Sequence, residues 1–566
     1  MAGSLFRKKS IDKILKDAQS STEENGQHGL KKILSVKDLT FLGIAAVVGA
    51  GVFSTIGTAA ADGGPGISLL FVITAVTCGF SALCYAEFAS RVPISGSAYT
   101  YAYVTFGELI AWIIGWALIL EYAIGNIVVA ISWSSYFNNL LMDIGIHLPG
   151  WLTVDPATAE KAFREVSALQ ATGVTLDRGQ QYVLDAYNTA PILFGGKFFV
   201  NIPAFVIVGL ITCLTYVGIR ESKRSANLMV IFKIAVVLFV IILGAFYVKP
   251  GHWSPFMPNG FEGVLKGVSA VFYAYIGFDA ISTTAEEAKN PQRDLPRGMI
   301  YSLVICTVLY ILIALVLTGM VPFDQLRVND PLAFVFEKVG AEWISKIVSI
   351  SAVVATTSVL LVFQLGQPRI WMSMSRDGLL PKAFGKVHKK YHTPYFSTIV
   401  TGILVAIPSL FMQSSRMTDL TSIGTLFAFV LVSGGVLLLP KIDEGFDTRP
   451  KGGFRLPYVN GQFIVPVLVA VFIFLFRTRI VHAAENLGSD SLQEILFLAF
   501  VLVAVVMGIL TFIKKYSLIP VLGVLFCSYL LIEIPAISWI WFFVWMSVGL
   551  IIYFLYGYRN SNLAKY

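Results

Sequence analysis

The sequence has few charged residues. Asp, Glu, Lys and Arg make up 13% of its 566 residues, whereas soluble domains carry about 25%. Hydrophobic residues make up 56% of the chain, and the mean hydropathy is +0.74. This composition excludes an ordinary soluble domain and predicts an all-α polytopic membrane protein. The net charge of +8 does not indicate a nucleic-acid partner, because the basic residues cluster in the loops between apolar segments.

The sequence also lacks the usual signatures of catalysis and of metal binding. Its six histidines are scattered, and its five cysteines lie within apolar segments without metal-ligand spacing. The absence of a phosphate-binding loop argues against an ATP-driven pump, and the absence of repeated polar rings argues against a channel. We therefore expect no enzymatic activity, no cofactor and no metal site. The first residues do not form a cleavable signal peptide, and the sequence contains no N-glycosylation sequon.

Fourteen apolar segments are candidate membrane spans. They lie at 39–61, 66–88, 106–140, 200–219, 224–248, 262–285, 296–321, 342–367, 396–414, 417–440, 462–480, 492–513, 517–533 and 535–557. The last two are close together, so a count of twelve is the main alternative. Basic residues are concentrated in the N-terminal arm and in alternate loops, which predicts that both termini are cytoplasmic.

The same pattern divides the chain into regions. We expect a cytoplasmic arm at 1–38, a first group of five spans at 39–248, a second group at 262–440, four C-terminal spans at 462–557 and a cytoplasmic tail at 558–566. The long external loop at 141–199 should contain short amphipathic helices at 155–170 and 178–187. They would form a structural cap, and a partner-binding module is the alternative. An aromatic cluster at Trp539, Trp541 and Trp545 predicts a scaffold or an oligomer contact for the C-terminal spans.

Two apolar segments contain glycine where a membrane helix would be driest. The first reads GIAAVVGAGVF at 43–53, with Gly49 and Gly51 at its centre, and the second reads FYAYIGFDAIS at 272–282, with Gly277. Glycine weakens a helix interior by about 1 kcal/mol relative to alanine. These glycines therefore indicate either interrupted helices or close packing through small residues. Because the segments are five spans apart, their pairing favours interrupted helices in an inverted-repeat transporter.

Five motifs cover most of the first 381 residues. They read GIAAVVGAGVF at 43–53, PISGSAYTYAY at 93–103, GWALILEYAIG at 115–125, YIGFDAISTTAEEAKNPQRDLP at 275–296 and QPRIWMSMSRDGLLP at 367–381. With these motifs the sequence resembles the cationic amino acid transporter family of the amino acid–polyamine–organocation superfamily. The resemblance implies a five-plus-five inverted repeat (the APC/LeuT-type fold) of residues 39–248 and 262–440, in which helices 1 and 6 are broken.

The resemblance also implies an amino acid site between the broken helices. The residues expected to contact the substrate are Val47, Gly49, Ala50, Gly51, Tyr273, Ile276 and Asp279. The backbone amides of Ala50 and Gly51 would receive the substrate carboxylate, and the carbonyls of Val47 and Gly49 would receive its ammonium group. Tyr273 and Ile276 would complete the ammonium site. A zwitterion needs such donors and acceptors a few ångströms apart, which helix ends provide. Tyr273 would match the family's gating aromatic residue, although an ordinary packed aromatic fits the sequence as well.

Three charged residues are expected within the spans. Lys233 lies deep in NLMVIFKIAVVLFVII, where burial destabilises the charged form of lysine and lets it exchange a proton near neutral pH. Relatives carry a lysine there in place of a bound sodium ion, which implies proton coupling, and its expected partners are carbonyls between Gly43 and Ala46. Glu121 would pair with Lys233, tune its proton affinity or line the pocket. Asp279 would reach a substrate side chain or cap the broken helix.

Other charges lie near the expected cytoplasmic ends of the spans. They predict ion pairs of gates or loops and comprise Arg91, Glu286, Glu287, Arg293 and Arg369.

The sequence therefore predicts a secondary active transporter that moves L-amino acids by alternating access with proton symport. A proton-independent exchanger or facilitator and a transporter-like solute sensor are the alternatives. The family name favours cationic substrates, whereas bacterial-looking relatives take small neutral amino acids, and the residues leave this open. Short tails and the missing sequons favour a bacterial inner (plasma) membrane location. The expected partners are the amino acid, protons and the lipid bilayer, and the oligomeric state stays open.

Overall fold

The computed structural model describes residues 5–9, 34–92, 96–171, 178–193, 195–217, 223–328, 330–391, 393–439, 453–485 and 491–565. Most of the predicted N-terminal arm lies outside these residues. The described part is mostly helical, and its sheet is a two-stranded antiparallel hairpin of β1 (Ile192–Leu193) and β2 (Gly196–Lys197), in which Ile192 pairs with Lys197.

The α-helices follow one another along the chain with short connections. In the first half they are α1 (Val36–Val47), α2 (Ile56–Gly63), α3 (Ile67–Arg91), α4 (Ser97–Thr105), α5 (Glu108–Asp143), α6 (Pro156–Ala171), α7 (Arg178–Thr189), α8 (Ile202–Val217), α9 (Lys223–Ala245), α10 (Gly260–Leu265) and α11 (Val268–Tyr273). In the second half they are α12 (Pro291–Met320), α13 (Pro331–Lys338), α14 (Glu342–Arg376), α15 (Tyr395–Ser409), α16 (Ser414–Leu438), α17 (Ile464–Leu475), α18 (Arg477–Glu485), α19 (Ser491–Lys514), α20 (Leu518–Ile532), α21 (Ala536–Ile552) and α22 (Tyr558–Asn560). Shorter π- and 3₁₀-helical segments include Gly51–Thr55, Phe278–Glu287 and Tyr553–Gly557.

Helical structure occupies each of the fourteen predicted segments. Within the described residues, seven helices are long and apolar enough to cross a membrane, or eight if the bent pair α17–α18 is one span, and four further apolar helices are shorter. The chain is therefore a multi-pass helical membrane protein. The count of fourteen crossings and the inverted repeat stay predictions.

The segment predicted as one span at 462–480 is bent in the structure. Helix α17 ends at Leu475, and the chain bends by 64° into α18. Arg477 and Arg479 begin α18, and charged residues are costly within an apolar span unless they are paired. The Arg479 guanidinium lies 3.6 Å from the Glu533 carboxylate and above the Phe497 ring.

Helix α5 is the centre of the packing. It has 36 residues, and nearly all of its most apolar stretch is buried. Helices α14 and α16 pack along it. By contrast, α8, α9 and α19 expose large apolar side chains such as Leu210, Ile242 and Leu502. Lipid tails are as apolar as leucine, so such side chains suit a lipid-facing surface.

The segment at 141–199 contains the two predicted helices. Helices α6 and α7 match the segments expected at 155–170 and 178–187. They contact each other through Phe163 and Tyr187, whose rings stack with centroids 3.7 Å apart. The β1–β2 hairpin follows them and was not predicted.

The last long helix packs onto α5 through tryptophans. The rings of Trp116 and Trp545 stack with centroids 4.7 Å apart. Each indole also donates to the other residue's backbone carbonyl, at 2.9 and 3.1 Å, and Trp112 donates to the Gly549 carbonyl. Part of the predicted aromatic cluster is therefore a scaffold within the chain. A second apolar cluster is built on α17, α18, α19 and α20.

This contact predicts unequal effects of two tryptophan substitutions in α21. Trp545→Ala should destabilise the purified protein by about 3 kcal/mol, because it removes a packed ring and an indole hydrogen bond. Trp541→Ala is the matched control, since Trp541 is 61% exposed in the same helix. The thermal midpoint in detergent is the measurement, and equal shifts for the two variants would contradict the packing described.

Candidate functional site

The first glycine-rich segment is an interrupted helix. Helix α1 ends at Val47, Val48 has an extended backbone (φ −76°, ψ 92°), and helical structure resumes at Gly51. The amides of Val52 and Phe53 both donate to the Gly49 carbonyl at 3.1 Å. Within the described residues, the amides of Ala50 and Gly51 form no backbone hydrogen bond. Such amides at a helix start are donors for an anion.

The second glycine-bearing segment is interrupted as well. Helix α11 ends at Tyr273, Gly277 has a φ of 114°, and a 3₁₀ segment runs from Phe278 to Glu287. A positive φ of this size favours glycine, because other residues would place Cβ against the backbone. The predicted single span at 262–285 is thus divided into α10, α11 and the 3₁₀ segment.

The two interruptions lie against each other. A Cβ atom on Gly51 would lie 2.3 Å from the Ala274 Cα, and one on Gly277 would lie 2.9 Å from the Ala46 Cβ. A Cβ atom on Gly49 would meet Val359 of α14 at 2.6 Å. Both explanations of the glycines therefore hold, because they stand at helix interruptions and also allow the backbones to approach closely.

Lys233 binds the broken end of α1. Its ammonium group donates to the carbonyls of Ala45 at 3.0 Å and Val48 at 2.9 Å, and the side chain is fully buried. The carbonyls in the last turn of a helix lack intrahelical donors and carry the negative end of the helix dipole. Ala45 lies within the predicted range of partners, and Val48 lies just beyond it. No salt bridge joins Lys233 to Glu121 in the described part of the chain.

Tyr310 is a neighbour of this site that sequence reasoning missed. Its hydroxyl donates to the Val47 carbonyl at 2.9 Å. The carbonyls of Val47 and Gly49, expected to receive a substrate ammonium, therefore already accept hydrogen bonds from the protein. A substrate ammonium would have to share these carbonyls or displace their donors. Tyr310 lies in the apolar helix α12, where its sequence carries no distinguishing signal.

Two tyrosines near the interruptions donate hydrogen bonds to backbone carbonyls. The Tyr273 hydroxyl donates to the Gly125 carbonyl of α5 at 3.1 Å. The Tyr136 hydroxyl of α5 donates to the Phe53 carbonyl. Ile276 is buried in the turn after α11. Helix α5 is thereby tied to both interrupted segments.

Two buried carboxylates lie among unpaired hydroxyls. Asp279 is 1% exposed and Glu121 is 2% exposed. Within the described residues, both Asp279 oxygens and one Glu121 oxygen lack a hydrogen-bond partner, as do the hydroxyls of Tyr85, Tyr101 and Tyr122. Leaving buried polar groups unpaired is costly, so this cluster suits a ligand, water or protons. The described residues place no three His, Cys, Asp or Glu side chains together in a metal site.

Four of the five charges near the helix ends, namely Arg91, Glu287, Arg293 and Arg369, form ion pairs, as predicted. Arg369 lies 2.9 Å from Glu287, which joins α14 to the end of the 3₁₀ segment. Arg91 pairs with Glu87 at 2.7 Å, and Arg293 pairs with Asp294 at 2.8 Å.

Comparison with known proteins identifies the family. A family described as "Amino acid permease" matches residues 34–487, and its C-terminal region, "C-terminus of AA_permease", matches residues 516–561. The chain belongs to the amino acid permease family. The family comprises membrane transport proteins and not enzymes, and the resemblance to the cationic amino acid transporters is confirmed.

Three relatives illustrate the range of the family. The chain is 40% identical to the branched-chain amino acid permease BcaP of Bacillus subtilis, over 100% of both chains. It is 38% identical to the methylthioribose transporter of the same organism, over 99% of this chain and 100% of that protein. It is 30% identical to human cationic amino acid transporter 4, over 97% and 90% of the two chains.

The close approach at the interruptions predicts the effect of adding one methyl group. Gly51→Ala should destabilise the protein by about 1–3 kcal/mol, because the new Cβ meets the backbone of Ala274. Gly79→Ala in α3 is the control, since a Cβ there has open space and improves helix propensity. Thermal midpoints in detergent measure both changes. A Gly51→Ala variant as stable as the control would refute the contact.

Proposed function

We propose that this permease is a secondary active transporter that moves L-amino acids by alternating access, coupled to protons through Lys233. The observation that carries the proposal is the contact of the Lys233 ammonium with the carbonyls of Ala45 and Val48. A bound metal cation could also contact these carbonyls, but in this protein the side-chain amine of Lys233 contacts them. Because an amine can gain or lose a proton, the charge at this position can change when a proton binds or leaves during transport.

The coupling follows from the electrostatics of the broken helix. A protonated Lys233 holds the negative end of α1 against α9 and stabilises the arrangement of the interruption. A neutral amine binds the same carbonyls less strongly, since charge-assisted hydrogen bonds are about twice as strong as neutral ones. Loss of the proton therefore frees α1 to move relative to α9, which is the step that alternating access requires.

The substrate site that we propose lies between the two interruptions. The amides of Ala50 and Gly51 would bind the carboxylate. The carbonyls of Val47 and Gly49, with Tyr273 and Ile276, would bind the ammonium group. The amides of Ala50 and Gly51, which form no backbone hydrogen bond within the described residues, support this placement. The hydrogen bond from the Tyr273 hydroxyl to the Gly125 carbonyl supports a role of Tyr273 as a closing aromatic residue.

Neutral aliphatic amino acids are the substrates that the surroundings favour. A Cβ on Gly49 would lie 2.6 Å from Val359, and a Cβ on Gly125 would lie 3.4 Å from Phe363. Apolar side chains of α14 therefore lie beside the first interruption and the neighbouring part of α5. The 40% identical relative is a branched-chain amino acid permease. A cationic amino acid is the second candidate, because both carboxylate oxygens of Asp279 and one of Glu121 lack a hydrogen-bond partner within the described residues.

The orientation that we propose places both termini in the cytoplasm of a bacterial cell, with the chain in the inner membrane. The Arg7 guanidinium lies 5.1 Å above the Tyr558 ring, so the two ends of the chain lie on the same side. We further propose that all fourteen segments cross the membrane and that 39–248 and 262–440 form the inverted repeat.

Substitution of Lys233 tests the coupling. Lys233→Gln should lower uptake driven by an inward proton gradient about tenfold or more and abolish its stimulation by the gradient. Lys346→Gln is the control, because Lys346 is an exposed lysine in the apolar helix α14. Uptake into proteoliposomes with and without the gradient is the measurement. Gradient-stimulated uptake by Lys233→Gln at the wild-type level would refute proton coupling through this residue.

Competition separates the two substrate classes. Unlabelled leucine and alanine should inhibit uptake of radiolabelled leucine, and arginine should be about tenfold or more weaker, since burying its charge beside apolar groups is unfavourable. Stronger inhibition by arginine would instead support the acidic residues as the side-chain site. Asp279→Asn should then remove the preference for arginine.

The alternative functions have different outcomes in the same vesicles. Exchange of leucine unaffected by any proton gradient would favour a proton-independent facilitator, and leucine binding without flux would favour a solute sensor.

A further inference from the structure

A short segment near the start of the chain is docked on the end of the molecule that carries both termini. Residues 5–9, here called the strap, lie across the start of α5. The amide of Glu108 donates to the Arg7 carbonyl at 2.9 Å, and the amide of Leu109 donates to the Leu5 carbonyl at 3.2 Å. The first amides of a helix lack intrahelical acceptors, so the strap caps α5 with its backbone.

Gly107 makes this docking possible. Its φ is 98°, and a Cβ atom there would lie 2.7 Å from both the carbonyl carbon and oxygen of Phe6. A side chain at position 107 would therefore push the strap away from the start of α5.

The strap also reaches α4 and the end of α14. The Lys9 ammonium lies 3.0 Å from the Asp377 carboxylate, which directly follows α14. The other Asp377 oxygen accepts the Tyr99 hydroxyl of α4 at 2.7 Å. The Lys9 amide donates to the Tyr103 carbonyl at the far end of α4. Asp377 thus joins the strap, α4 and α14 at one point.

The C-terminal tail completes the same cluster. The buried Glu108 carboxylate accepts hydrogen bonds from Tyr553 at 3.0 Å, Ser561 at 2.5 Å and Tyr103 at 3.1 Å. The amide of Asn562 donates to the Asp377 carbonyl at 3.0 Å. Both ends of the chain therefore meet on Glu108 and Asp377.

Helix α4, which the strap holds, lies beneath the second interruption. Tyr101 of α4 stacks on Phe88 of α3 at 4.8 Å and contacts Tyr85. Tyr85 in turn contacts Phe278, the residue before Asp279. A continuous set of contacts therefore joins the strap to α4, α4 to Tyr85, and Tyr85 to the start of the 3₁₀ segment. Movement of that segment towards this end of the molecule requires α4 to shift.

We propose that the strap is an autoinhibitory contact: docked on Gly107, Glu108 and Asp377, it holds α4 in place and keeps this end of the transport path closed. The proposal rests on the transport function proposed above. Release of the strap removes the Lys9–Asp377 pair and lets α4 move, so transport becomes faster.

A charge reversal with its own rescue tests the strap. Lys9→Glu places two carboxylates together and should release the strap. The double variant Lys9→Glu/Asp377→Lys should restore the pair. Lys8→Glu is the matched control, because it makes the same charge change one residue away at an exposed position. All variants are made in the full chain and reconstituted in the same vesicles.

Two measurements judge docking and transport separately. Hydrogen exchange at the amides of Glu108 and Leu109 reports docking without any substrate, because the strap carbonyls accept both. Lys9→Glu should speed exchange there and raise the initial rate of leucine uptake about fivefold. The double variant should return both values towards wild type, and Lys8→Glu should change neither.

The other outcomes overturn the proposal. Unchanged exchange in Lys9→Glu would show that the ion pair does not hold the strap. Faster exchange with unchanged or slower uptake would show that the strap anchors the termini without restraining transport. If the wild type moved no amino acid, both the proposed function and the autoinhibitory role of the strap would fail. Hydrogen exchange would still show whether the strap is docked.

Discussion

Backbone carbonyls at the end of a broken helix need donors in an environment that supplies no water. The interruption after Val47 leaves such carbonyls inside the apolar core, where each unsatisfied group costs several kcal/mol. Lys233 satisfies those of Ala45 and Val48, and Tyr310 satisfies that of Val47. These donors come from α9 and α12, so the need to pair one helix end joins three elements of the fold.

Close contact between the two interruptions follows from the same constraint. Glycines at 49, 51 and 277 let the broken segments and α14 approach to backbone distance. This contact places the amides of Ala50 and Gly51 beside the turn that follows α11. Nearby, both carboxylate oxygens of Asp279 and one of Glu121 lack a hydrogen-bond partner within the described residues. A region with donors, acceptors and unpaired acids in an apolar core is suited to a small zwitterion and to protons.

The interruptions and Lys233 could be predicted because each places residues that are unfavourable in a membrane helix within an apolar segment. Glycine pairs, an acid and a lysine are costly in an apolar span, so their positions stand out without any structure. Tyr310, the strap and the Lys9–Asp377 pair could not be found in this way, because each depends on a partner distant in sequence. Tyr310 lies in a long apolar helix that contains a second tyrosine, Tyr301. Lys9 is one of three consecutive basic residues. The bend at Phe476 was not predicted, because α17 and α18 taken together are apolar enough for one span.

We propose that Lys233 couples proton movement to amino acid movement. This coupling is tested most directly by measuring the leucine gradient at which net leucine flux stops in proteoliposomes clamped at zero membrane potential. With one proton moved for each leucine, a difference of one pH unit should be balanced by an opposing leucine gradient of about tenfold. If net flux instead stopped at equal leucine concentrations for every pH difference, the coupling would be absent and the account of Lys233 would be contradicted.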